Sequence, residues 1–151
     1  MTMGSEDPKA LARRIVETMH AKGRAYAFLD LEILDVGPGH AKARMKVRED
    51  FLNSHGICHG GLIFTFADTV FGFACNSRNE ASVGTSCDIT YLRQVAQGEI
   101  LTAEAKEIHA FGRGALFDIV VTDHDGEKVA LMHARSVQTG GSFLPEQESP
   151  A

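Results

Sequence analysis

Asp68 stands inside an apolar run that extends from Leu62 to Ala74, shortly after the triplet His59-Gly60-Gly61. The apolar positions Leu62, Ile63, Phe64, Phe66, Ala67, Val70, Phe71, Phe73 and Ala74 go round every side of a helical wheel. A helix that is apolar on all faces is expected to be buried on all faces. An ionised carboxylate in that setting is costly unless it is hydrogen-bonded, paired or used chemically. Asp68 therefore either ties the helix to an amide or an arginine, or serves a reaction. The residues in front of it favour chemistry. Gly60 and Gly61 open the helix with N–H groups that have no partner within it, and such amides, helped by the helix dipole, stabilise a developing oxyanion. A carboxylate and oxyanion donors are the two parts that acyl-transfer hydrolysis requires.

Their spacing adds a constraint. Gly60 and Asp68 are eight residues apart, which on one helix is about 12 Å along the axis. Each must come within about 3 Å of a reacting group. If both act on one carbon, the acid comes from one chain and the glycine amide from another, and the site occurs twice by symmetry.

Other reactive residue types near this stretch have plainer readings. His55 and His59 bracket Cys58 at a spacing that suits a metal only on a helix, whereas Gly56 and Gly60-Gly61 argue for a loop. No second ligand pair is spaced like a zinc site, so no metal is expected. Cys58 beside His59 is expected to be a buried inert thiol, because neighbours in an extended loop point opposite ways. Cys75 and Cys87 read as core. His59 either contacts substrate or closes the loop through a hydrogen bond, and Asn53 is a common turn residue. Arg93 and Arg113 suit phosphate groups, against the simpler reading of solvated strand-end charge. Thr69, Thr85 and Ser86 are candidates to hydrogen-bond the acid or its water.

Composition narrows the classes of function. The 151 residues read as one domain with a substantial core, flanked by loose ends at 1–7 and 142–151. A net charge of -5 and the lack of Lys/Arg clusters give no field for nucleic acid or an anionic membrane. The apolar run is too short to cross a bilayer, which takes about 20 residues. Three cysteines without C-x-x-C spacing fit a reducing cytoplasm, and no signal-peptide pattern is visible.

The elements that must position these residues follow from the pattern. Asp7-Pro8 is an N-cap and first-turn proline, and Ala10, Leu11, Ile15, Val16 and Met19 repeat at helical spacing up to Gly23. Strands are expected at 31–36 and 40–47 around Gly37-Pro38-Gly39, the second alternating Ala41, Ala43, Met45 and Val47 against Lys42, Arg44 and Lys46. After the long helix, strands are expected at 82–92, 99–110, 115–122 and 128–137, with Asp123-His124-Asp125-Gly126 as a hairpin turn. Strands segregated from helices give an α+β fold: an antiparallel sheet of five to six strands wrapped around one long central helix, plus an N-terminal helix.

On these residues the chain resembles the hotdog-fold thioesterases, and more closely their phenylacetate-degradation branch, the PaaI family. The matching text is Leu52-Asn53, Cys58-His59-Gly60-Gly61, Phe64, Ala67-Asp68-Thr69, Phe71, Ala74-Cys75-Asn76-Ser77 and Ile89-Thr90-Tyr91-Leu92-Arg93, then Gly98 to Ala105. The resemblance covers roughly residues 25 to 141 and departs where Gln94 follows Arg93 in place of the more usual proline. It implies that Asp68 is the general base or nucleophile and that the Gly60 N–H polarises the thioester carbonyl. Asn53 would position water or substrate, and His59 would orient the loop or the thioester. Gly61, Thr69, Arg93 and Arg113 are the candidate substrate contacts. The implied substrate is a coenzyme A thioester, commonly phenylacetyl or hydroxyphenylacetyl, with no cofactor. The implied assembly is a homodimer at least, with dimers paired into a homotetramer. Two other readings use the same residues: a hydratase or dehydratase of acyl thioesters working through His59 and Asp68, and a non-catalytic acyl-CoA-binding regulator.

Overall fold

Asp7 caps the first helix as its sequence position predicts, with Oδ2 accepting the Ala10 N–H at 3.0 Å. In the computed structural model, which describes residues 6–145, α1 runs Pro8–Lys22 and buries Ala12, Ile15 and Val16 against the core. Residues 1–5 and 146–151 of the two expected loose ends lie outside the described residues. Inside them, Glu6 pairs with Arg14 at 2.8 Å, and the Leu144 N–H donates to Asn79 at 2.8 Å.

Six strands form one antiparallel sheet: β1 (Glu32–Gly37), β2 (His40–Lys46), β3 (Ser82–Tyr91), β4 (Ile100–Phe111), β5 (Gly114–Thr122) and β6 (Lys128–Gln138). Their order is β1-β2-β4-β5-β6-β3. The predicted alternation of β2 holds, with Ala41, Ala43 and Met45 buried while Arg44 and Lys46 face out. Across from it Leu101, Ala103 and Ala105 of β4 are buried as well. The buried face of the sheet thus has small residues at its middle. Against it lies α2 (Gly60–Asn76), whose Phe66, Phe71 and Phe73 are at most 1% exposed. Burying each such ring contributes roughly 2–3 kcal/mol. This is the expected hotdog arrangement, a sheet wrapped on one long helix with a second helix beside it.

The helix is not buried all round, as the wheel alone predicts. Gly61 and Asp68 are exposed in the single chain, and Phe64, Thr65, Gly72 and Cys75 are only half-buried. One chain has a single sheet to offer, so it covers one side of α2 and leaves a stripe at i, i+3/4, i+7 and i+11 open. Asp68 lies on that stripe and not in the core.

β3 is the free edge of the sheet on the side of the open stripe, and it is fastened to α2 at both ends. At one end Asn76 donates through Nδ2 to Ser82 O at 3.1 Å and accepts the Ser82 N–H at 2.9 Å. At the other, the Tyr91 hydroxyl donates to Gly60 O at 2.9 Å. Between them the register with β6 slips between Gly84 and Ser86, so that Thr85 forms a bulge. Bulges re-aim side chains and recur beside functional sites. Among the described residues no helix is long and apolar enough to cross a membrane.

Candidate active site

The segment before α2 is a loop, as its glycines predict. Asn53 Oδ1 accepts the His55 N–H at 2.9 Å and the Ile57 N–H at 3.4 Å, and the Gly56 N–H closes on Asn53 O at 3.0 Å. Gly56 sits at φ +75°, where a side chain would be strained. The Cys58 N–H is held by Val95 O at 2.8 Å and the His59 N–H by Phe51 O at 2.7 Å. His55, Cys58 and His59 therefore do not share a helical face. Cys58 is buried, and desolvation pushes its thiol up to about 11, in keeping with an inert core cysteine.

His59 is the N-cap of α2. Its Nδ1 accepts the Gly61 N–H at 2.9 Å, which requires the hydrogen on Nε2. This corrects the expectation that both glycine amides are free: Gly61 donates to the cap, and among the described residues only the Gly60 N–H of the pair lacks an acceptor. Gly60 opens on a cleft of about 290 Å³ whose walls include Asn53, Ile57, Ile63, Tyr91 and Leu92. Asn53 borders this cleft while its Oδ1 holds the loop.

Asp68 opens on a separate cleft of about 350 Å³, shared with Phe64, Gly84, Thr85, Ser86 and Cys87. The Cys87 thiol donates to its Oδ1 at 3.8 Å. Desolvation by the surrounding atoms raises its pKa above the usual aspartate range, and the Cys87 contact pulls it partly back. Among the described residues no backbone amide donates to the Asp68 carboxylate. Cys87 and Cys75 are half-buried and pack against the core at its margin, Cys87 also facing the Asp68 cleft.

The two clefts lie apart along one antiparallel helix–strand pair, that of Gly60 at the start of α2 and that of Asp68 at its middle. Along α2, Gly60 and Asp68 are about 12 Å apart. Along β3, their respective neighbours Tyr91 and Cys87 are about 13 Å apart. Within one chain the free amide and the acid therefore face different clefts.

Of the other predicted contacts, Thr69 and Arg113 lie outside both clefts, whereas Arg93 borders the Gly60 cleft with its guanidinium committed to other partners. Thr69 is 7% exposed and donates to Thr65 O at 2.7 Å, so it faces inward, away from the acid. Arg93 is already engaged: one nitrogen reaches Glu99 at 2.7 Å and Asp123 at 2.6 Å, and the other donates to Gln94 O at 2.6 Å. Arg113 lies in the turn between β4 and β5 and lines a cavity of about 170 Å³ with Cys75 and Arg78, at the other end of α2 from Gly60. Among the described residues one cluster has metal-ligand spacing, Asp123, His124 and Asp125. The Asp123 oxygens in it are occupied by Arg93 and by the amides of Asp125 and Glu127.

Sequence reasoning passed over Tyr91 and Cys87 as site residues. Both sit on the same face of β3 as Ile89, two residues apart along the strand. That alternation was the available signal, and it lacked only the knowledge that this face looks at α2.

Comparison with known proteins identifies the family to which this fold belongs. Residues 55–130 match the family model of the thioesterase superfamily. The chain is 36% identical to the acyl-coenzyme A thioesterase PaaI of Escherichia coli, over 78% of its own length and 84% of that protein's. The solved structure of E. coli PaaI, a protein from the phenylacetic acid degradation operon, superimposes with a TM-score of 0.87 at 32% identity, covering 90% of this chain and 99% of the other. A hypothetical thioesterase protein of Streptococcus pneumoniae solved with coenzyme A gives 0.72 at 27% identity, covering 74% and 90%.

Proposed function

Because the chain belongs to the thioesterase superfamily, and within it to the PaaI-type hotdog thioesterases, we propose that it hydrolyses a coenzyme A thioester at a site shared between two subunits. The observation that carries the shared site is that the free Gly60 N–H and the Asp68 carboxylate open into different clefts beside β3, one at the start of α2 and one at its middle. The coenzyme A portion is supported by the activity named for the E. coli relative and by the coenzyme A in the pneumococcal one. The acyl group proposed is phenylacetyl or hydroxyphenylacetyl, supported by the phenylacetic acid operon from which the E. coli protein comes.

In this reading Asp68 takes a proton from water, whose oxygen bonds to the thioester carbon while the carbonyl oxygen gathers charge against the partner's Gly60 N–H. Collapse of the adduct breaks the carbon–sulfur bond, and the thiolate recovers the proton from Asp68. Direct attack by the Asp68 carboxylate, with later hydrolysis of an anhydride, uses the same two groups. Asn53 and His59 hold the loop that leads into the donor.

The second subunit is expected at the β3 edge. A ten-residue edge strand with Val83 52% and Tyr91 46% exposed is a template for pairing. Antiparallel pairing with a copy, in a register centred near Ile89, sets Cys87 of one strand opposite Tyr91 of the other and so brings the two half-sites together. Pairing of such dimers into a tetramer and a cytoplasmic location complete the proposal, the latter supported by the three free cysteines.

Thiol release from aromatic and straight-chain acyl-CoAs tests the reaction. Wild type is expected to turn over aryl-acetyl thioesters, and Asp68→Asn to lose about a thousandfold or more. Tight binding with no thiol release, or water addition to an enoyl thioester, would overturn it. Mixing Asp68→Asn with Gly60→Val subunits tests the sharing, since each heterodimer regains one intact site and about a quarter of wild-type activity returns. No recovery between variants that do exchange subunits would place the site within one chain.

A further inference from the structure

Gly60 has the freest backbone in the site, yet its N–H must point at one atom. Two peptide groups meet at its Cα. The one before it is fixed by the helix, because His59 O accepts the N–H groups of Leu62 at 2.9 Å and Ile63 at 3.3 Å. The one after it is held from both sides: the Gly61 N–H by His59 Nδ1 at 2.9 Å, and the Gly60 carbonyl by the Tyr91 hydroxyl at 2.9 Å. Of these bonds, that of Tyr91 alone comes from outside the loop and helix, reaching over from β3. The fit is mutual, since a Cβ on residue 60 would lie 3.2 Å from the Tyr91 ring carbon Cζ and 3.4 Å from its hydroxyl oxygen.

Resting on the function proposed above, we propose that Tyr91 is a positioning residue for the Gly60 N–H. Its hydroxyl holds the carbonyl of the glycine that carries the donor, and its ring packs so closely that a Cβ at residue 60 would have to push it aside by a few tenths of an ångström. It touches the donor's residue and not the proton being moved, so it acts through Gly60. Because Tyr91 sits on the edge strand, the proposed pairing of β3 with a copy also steadies the clamp, and assembly and alignment of the donor become one event.

Tyr91→Phe keeps the ring and removes the hydroxyl. With an acyl-CoA that wild type hydrolyses, kcat is expected to fall about tenfold, since small misplacements at a reacting centre carry large rate effects. KM is expected to stay at its wild-type value and the melting temperature to fall by a few degrees at most. An unchanged kcat, or a loss that appears in KM alone, would overturn the proposal. Amide hydrogen exchange gives a readout independent of turnover. The Gly61 N–H, protected by His59 in wild type, exchanges faster in Tyr91→Phe when the clamp is real, and equal exchange overturns it. A wild type that releases no thiol from any acyl-CoA would remove the thioesterase reading, while the exchange measurement would still decide the clamp.

Discussion

The Cys87 thiol lies 3.8 Å from the Asp68 carboxylate and donates to it from the strand that flanks α2. Burial raises the acid's pKa, and this contact opposes the rise. In the proposed reaction Asp68 is the base and must be ionised to act, so activity is expected to be lost as pH falls through the raised pKa. The acid limb of kcat/KM should therefore lie above the usual aspartate range. Cys87→Val removes the donor without admitting water, destabilises the carboxylate and should move the limb to higher pH. Cys87→Ser keeps a donor and should leave the limb at or below the wild-type position. Superimposable profiles for all three proteins would show that the thiol does not influence the titrating group.

His59 joins stability to function at the start of α2, where its ring caps Gly61. His59→Ala is expected to cost about 1 kcal/mol of stability, the usual effect of losing an N-cap acceptor. His59→Asn supplies another capping oxygen and should recover most of that loss. Turnover separates the two roles predicted for this residue. If the cap is its whole contribution, the Asn variant regains activity together with stability. Should stability return without turnover, the Nε2 side of the ring contacts the substrate.

Arg93 is engaged inside the fold, and its removal should show as a loss of stability and not of coenzyme A affinity. It links Glu99 to Asp123, whose side chain is only 8% exposed. The hydrogen bond from Arg93 leads the causes that hold Glu99 below its ordinary pKa. A depressed carboxylate stabilises the fold above its unfolded pKa, and that contribution fades as pH falls through the folded value. Arg93→Ala should lower the melting temperature by roughly 5 °C near neutral pH, with a smaller gap in acid. A large rise in KM at unchanged melting temperature would instead assign Arg93 to the phosphates of the substrate.

Much of this molecule was legible in the residues. Asp7-Pro8 specified where α1 starts, because a capping carboxylate and a fixed φ act on the local backbone alone. The alternation in β2 specified an antiparallel sheet with one wet face, since the period of a strand is set by its own pleat. The eight-residue gap from Gly60 to Asp68 specified their separation along α2, because helix rise is a constant.

What the sequence could not contain was which surfaces face one another. The wheel of α2 predicts burial on all sides, yet one sheet covers only one side, so Asp68 came to the open stripe. Gly61 looked as free as Gly60 until the His59 ring turned back on it. Thr69 follows Asp68 directly and still points inward, because adjacent helical residues are about 100° apart. Tyr91 and Cys87 are 31 and 19 residues from the groups they touch. Contacts at such separations depend on how β3 returns along α2. That return is a property of the packed sheet, in which β3 pairs with β6 and not with its sequence neighbour β4. The residue types and their local spacing were determined by the sequence itself, and the meeting of Tyr91 with Gly60 and of Cys87 with Asp68 was decided by tertiary packing.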